Sequence, residues 1–127
     1  MEALSHFIGE SQLTVMQHNQ RGEEGAWFTA KLQELEQLIA TMPRVYEQDG
    51  KGMQALVSLH YFIGSADWYI TERDTSPEQL QAFGWADLGM GCGELGYISI
   101  AEIIANGGEL DLHYAPRTLE SALKGRV

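Results

Sequence analysis

The fold of this chain is decided by residues 55–74, which read ALVSLHYFIGSADWYITERD. β-Branched and aromatic residues are dense on both sides of Gly64-Ser65, a dipeptide with the composition of a tight turn. The connection between the two runs has the length of a hairpin loop. The stretch therefore predicts an antiparallel pair of strands, Ala55–Phe62 and Asp67–Arg73. The remaining sequence is expected to place helix before this pair and then to extend or cover its sheet.

The region before the pair is predicted to be helical. Apolar residues recur at steps of four, three, four and three within Gly22–Met42, which indicates one buried stripe of an α-helix. Pro43 is expected to end that helix, because the residue before a proline is pushed out of the helical region. Residues 1–21 are less regular and are divided by Gly9, so they predict one or two short helices. The stripe consists of Phe28, Leu32, Leu35, Ile39 and Met42.

The region after the pair predicts short strands that alternate with short helices. A third strand, Ala82–Leu88, has one face of small residues, which would let the N-terminal helix lie close to the sheet. Residues 89–96 are rich in glycine and predict a turn, after which Tyr97–Ile98 return to the sheet and Leu110–Tyr114 form a last strand. Residues that can cap helices predict three helix starts, at Ser76, Ser99 and Thr118.

These elements predict an α+β fold in one domain, residues 1–127, with a poorly defined segment at 1–21. The sheet is expected to be mainly antiparallel, with about four strands. A long N-terminal helix and short C-terminal helices are expected to pack on it. A chain of this size can bury roughly two-thirds of the surface that it exposes when unfolded.

The charge of the chain is its most unusual global property. Eight basic and eighteen acidic residues give a formal net charge of −10. Between residues 45 and 115, eleven acidic residues face only two basic ones, Lys51 and Arg73. Such a field repels phosphate groups, so no direct binding of nucleic acid is expected, whereas a basic surface of another protein would be attracted. Acidity that only keeps a small protein soluble is the alternative interpretation.

The composition also bears on where the chain works. No apolar run approaches the ~20 residues of a membrane span, so no membrane association is expected. The N-terminal residues lack a basic region and contain Glu2 and Glu10, which is not typical of a secretory signal. The single cysteine, Cys92, excludes an internal disulfide and fits a reducing compartment. A cytoplasmic protein is therefore expected.

One motif is similar to a cofactor site. Residues 91–96, GCGELG, form a literal G-x-G-x-x-G after a predicted strand. A dinucleotide site needs its helix to begin inside the motif, but the helix here is capped at Ser99, so a glycine turn and no cofactor are predicted. Cys92 in that turn could act as a nucleophile if His60 or His113 activated it, and a partly buried turn residue is the alternative.

Carboxylates and histidines could form an acid–base or metal site, because such groups transfer protons and bind Mg²⁺. No H-x-x-x-H, H-E-x-x-H or D-x-D spacing places two of them on one face. Solvated acids on strand ends and turns are the simpler interpretation, so no catalytic or metal-ligating residue is predicted. The acids concerned are Asp67, Glu72, Asp74, Asp87 and Glu94, with His60 or His113 as the histidine.

The same acids could instead belong to a protein interface that also contains aromatic residues. Aromatic rings among acids suit a partner rich in arginine, and ordinary core packing is the alternative. The aromatic residues are Tyr61, Trp68, Tyr69 and Trp85. The predicted interface consists of Asp67, Trp68, Glu72, Asp74, Asp87 and Glu94.

Four segments of the chain carry a family resemblance: VYEQDGKG at 45–52, LHYFIGSADWYITERD at 59–74, AFGWADLGMGCGELGYISI at 82–100 and ELDLHYAP at 109–116. With them the chain resembles a bacterial domain-of-unknown-function family of small proteins and modules, carried mostly on conjugative plasmids, integrative elements and prophages. The resemblance covers most of the chain and implies an accessory protein of a mobile element. It supplies no catalytic residues, and similar proteins often have a bulkier segment in place of the glycine run GMGCG.

The expected function is that of a small, acidic, non-catalytic protein-binding accessory protein of a mobile genetic element. It would dock on a basic, nucleic-acid-binding surface of another protein, such as a defence nuclease that it inhibits. The alternative is a small metal-dependent hydrolase or nuclease that uses a carboxylate–His site. A structural module that pairs with a second copy as a homodimer is the third interpretation.

Overall fold

The computed structural model describes the backbone of residues 2–125 and the side chains of residues 4–125. The structure is α+β and is built on a five-stranded antiparallel sheet, so the predicted fold class is confirmed at that level. Its strands are β1 (Leu56–Val57), β2 (Leu59–Ile63), β3 (Ala66–Glu72), β4 (Ala82–Asp87), β5 (Glu94–Ile98), β6 (Glu109–Leu110) and β7 (Arg117–Thr118). The order in the large sheet is β5-β4-β3-β2-β6, and β1 pairs with β7 in a separate two-stranded sheet.

The prediction of about four strands is low by one, because the chain after the glycine turn forms a full strand. β5 begins at Glu94, inside the G-x-G-x-x-G motif, and pairs along its whole length with β4. Residues 88–93 connect these two strands. The motif therefore forms a strand connection, as predicted, and the helix after it begins only at Ile100.

The predicted first strand, Ala55–Phe62, is interrupted at Ser58. The main-chain N–H of Ser58 donates to the carbonyl of Ile70 at 2.9 Å, and the residues before it leave the large sheet for β7. This break lets Val57 pack on the opposite face of the sheet from Leu59. Strict alternation along one strand could not have placed these two apolar residues on opposite sides.

The helices are α1 (Glu2–Ser5), α2 (Glu10–Asn19), α3 (Gly25–Thr41), α4 (Ile100–Ala105) and α5 (Leu119–Lys124), with a 3-10 turn at Gly52–Gln54. The predicted long helix is in fact short, with 17 residues in α3. It begins at Gly25, a position that requires glycine because a Cβ atom there would lie 2.1 Å from the carbonyl oxygen of Gln20. Its apolar stripe is confirmed, since Leu32, Leu35 and Ile39 are buried.

Two of the three predicted helix starts are confirmed. The hydroxyl of Ser99 accepts from the N–H of Glu102, and that of Thr118 accepts from the N–H of Ser121, both at 3.2 Å. The third, at Ser76, is wrong. Instead of a helix, the carboxylate of Asp74 accepts from the N–H groups of Leu80 and Gln81, which closes residues 74–81 into a loop.

The predicted last strand, Leu110–Tyr114, ends after its first residue. The carboxylate of Asp111 accepts from the N–H of His113 at 2.9 Å, which turns the chain away from the sheet. By contrast, the short N-terminal helices are confirmed as α1 and α2, and Gly9 lies between them. No helix among residues 2–125 is long and apolar enough to cross a membrane.

The large sheet separates two apolar clusters. One face packs against α1–α4 and includes Leu59 and Ile70, with Trp68 half-buried beside them. The other face carries Tyr69 and Trp85, which pack against Val57 and against Leu119 and Ala122 of α5. Trp68 and Ile70 therefore lie on the opposite face of the sheet from Tyr69. The face that carries Tyr69 also carries the polar groups described next.

Candidate functional site

His60, on β2, lies between two carboxylates. Its Nε2 is 2.7 Å from Oδ1 of Asp67 on β3, and its Nδ1 is 2.9 Å from Oδ2 of Asp111. The tight hairpin brings Asp67 close, because Phe62 pairs with Asp67 and His60 pairs with Tyr69. Asp111 follows β6 directly, and its main-chain N–H donates to the carbonyl of His60 at 2.8 Å. The three side chains form what we call the His60 cluster.

The His60 cluster lies in a surface cavity of about 350 Å³. The ring of Tyr69 stacks on the imidazole, with ring centres 4.6 Å apart and planes inclined by 10°. Tyr114 and Arg117 also line the cavity, and the guanidinium lies 5.6 Å from the centre of the tyrosine ring. Burial raises the pKa of Tyr114 to about 12, while the nearby guanidinium opposes that rise.

Ionised carboxylates only accept hydrogen bonds, so both contacts of His60 are hydrogen bonds when both ring nitrogens carry hydrogen. The side chains of Asp67 and Asp111 are 22% and 28% exposed, so the imidazole bridges two carboxylates that solvent and a small molecule can reach. Such a group can exchange a proton with a molecule in the cavity. Among residues 4–125, no group of three or more His, Cys, Asp or Glu side chains is arranged to hold a metal ion.

A second candidate site lies at the opposite end of the same sheet face. Residues 44–50 fold over the sheet there, and the buried carboxylate of Glu72 anchors them. It accepts from the N–H of Tyr46 at 2.9 Å and from the N–H of Gln48 at 2.8 Å. Tyr46 is thereby held with a positive φ of 80°, which an ordinary residue adopts only when its surroundings impose it.

The anchored loop presents aromatic and acidic side chains to solvent. Tyr46 is 70% exposed and Tyr97 is 50% exposed, and their hydroxyls are 2.8 Å apart. The hydrogen bond with Tyr46 raises the pKa of Tyr97, and desolvation and the negative charges of Glu72 and Asp49 raise it further. A pocket of about 310 Å³ opens between the loop and the sheet, with Leu95 at its rim. We call Tyr46, Glu47, Asp49, Leu95 and Tyr97 the Tyr46–Tyr97 surface.

The six residues of the predicted interface do not come together on one surface. Glu72 and Asp87 are 4% and 1% exposed, so they cannot contribute to an interface. Their carboxylates are used inside the chain, and that of Asp87 accepts from the N–H groups of Gly89 and Met90. Trp68 is half-buried in the core on the helix-covered face.

The other three predicted residues are more accessible. Asp67 belongs to the His60 cluster, and Asp74 is half-buried in its loop. Glu94 is exposed on β5, but it shares a sheet face with Ile98 and lies opposite Leu95 and Tyr97, so no member of the predicted set belongs to the Tyr46–Tyr97 surface. Cys92 is exposed in the connection before β5, and His113 is exposed with its ring 5.6 Å from that of Trp27.

Sequence reasoning missed Asp111 as a partner of His60 and Tyr46 and Tyr97 as exposed aromatic residues. The Asp49-Gly50 turn signal predicts a loop at residues 44–53, before the first strand, but it does not predict that this loop folds back over the sheet. The contact between Asp111 and His60 spans 51 positions and depends on where β6 joins the sheet. No local pattern carries that information.

Comparison with known proteins gives a family and nothing more specific. The family model described as "Protein of unknown function (DUF2958)" matches residues 29–117, which is more than half of the chain. No curated protein and no solved structure matches the chain.

Proposed function

We propose that this chain, which belongs to the DUF2958 family, is a non-catalytic accessory protein that docks on a basic surface of another protein. The observation that carries the proposal is the Tyr46–Tyr97 surface. It combines two exposed, hydrogen-bonded tyrosines with the exposed carboxylates of Glu47 and Asp49. Aromatic anchors surrounded by charge are typical of the energetic centres of protein interfaces.

The charge of the chain supports a basic partner rather than a nucleic acid. The net charge of −10 repels phosphate and attracts surfaces rich in lysine and arginine. Arg44 and Lys51 are also exposed in the loop, so the local excess of negative charge is smaller than the count for the whole chain. Arginine side chains of a partner can both pair with Glu47 and Asp49 and stack on the tyrosine rings.

The biological setting is part of the same proposal. The four segments resemble a family of small proteins carried mostly on conjugative plasmids, integrative elements and prophages, and this resemblance supports an accessory role in a mobile element. The basic partner would be a protein with a DNA-binding surface, such as a host defence nuclease. Inhibition of such a nuclease would benefit the mobile element. We place this encounter in the cytoplasm, where DNA and such nucleases meet.

The proposal is tested by comparing two double variants with the same change of charge. Glu47→Lys with Asp49→Lys alters the Tyr46–Tyr97 surface, whereas Glu23→Lys with Glu109→Lys alters exposed acids elsewhere. Proteins retained from a host extract by the immobilised chain are purified, and their affinities are measured. We expect a genuine partner to be basic and to bind the first variant at least about tenfold more weakly. The reason is that the ion pairs between its basic residues and the two substituted acids are lost.

The same partner is expected to bind the control variant within about twofold of the unmodified chain, and to dissociate more readily as salt increases. A partner that loses equal affinity for both variants would contradict docking at this surface. A complex that is insensitive to salt would contradict an electrostatic partner.

The His60 cluster favours a second candidate function, a small hydrolase or nuclease with a carboxylate–His site. An imidazole between two partly exposed carboxylates, in a cavity of about 350 Å³, is an arrangement that can move protons. The purified chain is assayed for cleavage of DNA, RNA and ester substrates with Mg²⁺, Mn²⁺ or Zn²⁺, beside thermal unfolding in each metal. Activity lost in His60→Gln but kept in His113→Gln would establish this candidate, and inactivity under all conditions would reject it.

A further inference from the structure

The two outer edges of the large sheet are treated differently by the rest of the chain. At β6, Gln12 of α2 acts as a substitute for a neighbouring strand. Its side-chain amide donates to the carbonyl of Leu110 at 2.8 Å and accepts from the N–H of Leu110 at 3.0 Å. Both outward main-chain groups of that residue are therefore already occupied.

The small sheet is closed by the same device. The side-chain amide of Gln48 accepts from the N–H of Leu56 at 2.7 Å and donates to the carbonyl of Leu56 at 2.9 Å. A single glutamine thus occupies both outward main-chain groups of a residue in β1. Proteins commonly block exposed strand edges in such ways, because open edges pair with other chains.

β5 lies at the opposite edge from β6, and within residues 2–125 no strand lies on its outer side. No hydrogen bond within the described part of the chain covers its outward main-chain groups in the manner of Gln12 or Gln48. The strand also lacks proline and lysine, the residues that usually discourage pairing. Leu95 and Tyr97, on one face of it, are 41% and 50% exposed. The edge is therefore open and partly apolar.

We propose that β5 is a strand-addition site, where an extended segment of a basic partner pairs with Glu94–Ile98 as a sixth strand of the sheet. This inference rests on the proposed function for the chemistry of the partner. Main-chain hydrogen bonds would supply affinity, and alternate side chains of the segment would lie beside Leu95 and Tyr97. Lysine or arginine at those positions would meet the carboxylates of the Tyr46–Tyr97 surface and the tyrosine rings.

Charge distinguishes this occupant from a second copy of the chain. Pairing of two β5 strands would bring together two molecules that each carry a net charge of −10, with Glu94 on both strands. A basic segment brings the opposite charge to the same edge. Repulsion between like charges and attraction between unlike ones therefore both favour the basic segment.

The test uses an alternating arginine–valine octapeptide with blocked ends as the probe. Exchange of the main-chain N–H groups of Glu94–Ile98 is followed by NMR with and without the peptide. Strand addition is expected to slow exchange of alternate amides in β5 at least about tenfold, because they become hydrogen-bonded. Leu95→Lys is expected to weaken binding at least about tenfold, and Glu109→Lys, at the covered edge, to leave it within about twofold.

Each other outcome overturns a defined part of the inference. If the peptide binds but leaves β5 exchange unchanged, strand addition is wrong while docking of a basic partner stands. If a serine–valine octapeptide binds equally well, the basic partner is wrong and the proposed function fails with it. If β5 becomes protected in a concentration-dependent dimer without peptide, the occupant is a second copy. No binding at about 1 mM peptide, where even weak recognition is detected, rejects the site.

Discussion

Replacement of Gln48 by alanine is expected to destabilise the protein by about 3 kcal/mol. The side-chain amide makes three hydrogen bonds, to the carbonyls of Leu56 and Thr71 at 2.9 and 2.8 Å and from the N–H of Leu56 at 2.7 Å. Gln48 is 7% exposed, so water does not readily replace it. Each hydrogen bond contributes about 1 kcal/mol net, and each buried group left without a partner costs at least that much.

The measurement is urea unfolding of the variant beside Gln54→Ala, which removes a single exposed hydrogen bond to Glu120 at 2.7 Å. The control is expected to lose less than about 1 kcal/mol, and both variants should keep the slope of the denaturant dependence. Exchange of the Leu56 N–H should accelerate in Gln48→Ala only. A loss no greater than that of the control would show that the edge of β1 does not depend on this glutamine, and the reasoning would be refuted.

Two further predictions concern the close packing of the backbone at Gly84 and the half-buried hydroxyl of Tyr114. Gly84→Ala should lower the free energy of unfolding in urea by about 3 kcal/mol or more, because its Cβ atom would lie 2.1 Å from the carbonyl oxygen of Tyr69. Gly96, which pairs with Gly84 across the two strands, has open space around it. Gly96→Ala should therefore change the free energy of unfolding by no more than about 0.5 kcal/mol. Burial raises the pKa of Tyr114 from 10.0 to about 12, so its contribution to stability is complete below pH 10 and is lost as the pH rises towards 12. The free energy of unfolding of Tyr114→Phe should therefore fall less between pH 10 and 12 than that of the unmodified chain. An equal fall in both proteins would show that ionisation of Tyr114 is not its cause.

Patterns that depend on neighbours in sequence were good predictors of this fold. The stripe of α3 repeats with the helical period, so its buried face was predictable without knowledge of what covers it. The turn at Gly64-Ser65 fixes the register of β2 and β3, and with it the proximity of Asp67 to His60. Ser99 and Thr118 cap their helices through N–H groups three residues away.

Features that depend on distant groups were not predictable in this way. Ser76 has the same capping pattern as Ser99, but the carboxylate of Asp74 takes the N–H groups of Leu80 and Gln81 and forms a loop instead. The cost of burying charge predicts that acidic residues lie at the surface, yet Glu72 and Asp87 are buried. Main-chain N–H groups brought to them by folded loops compensate that cost, and sequence alone does not show where those loops fold.

The contact between Gln12 and Leu110 joins positions 98 residues apart. Shortening the chain from its N-terminus would remove this contact and uncover β6 while β5 stayed as it is. A molecule with one open sheet edge can pair with only one other copy at that edge. A molecule with two open edges can add a copy at each edge, so the assembly can grow without limit. Because Gln12 of α2 occupies the β6 edge, the intact chain does not offer two open edges. A fragment that retains only the sheet would offer two, and we expect it to form filaments.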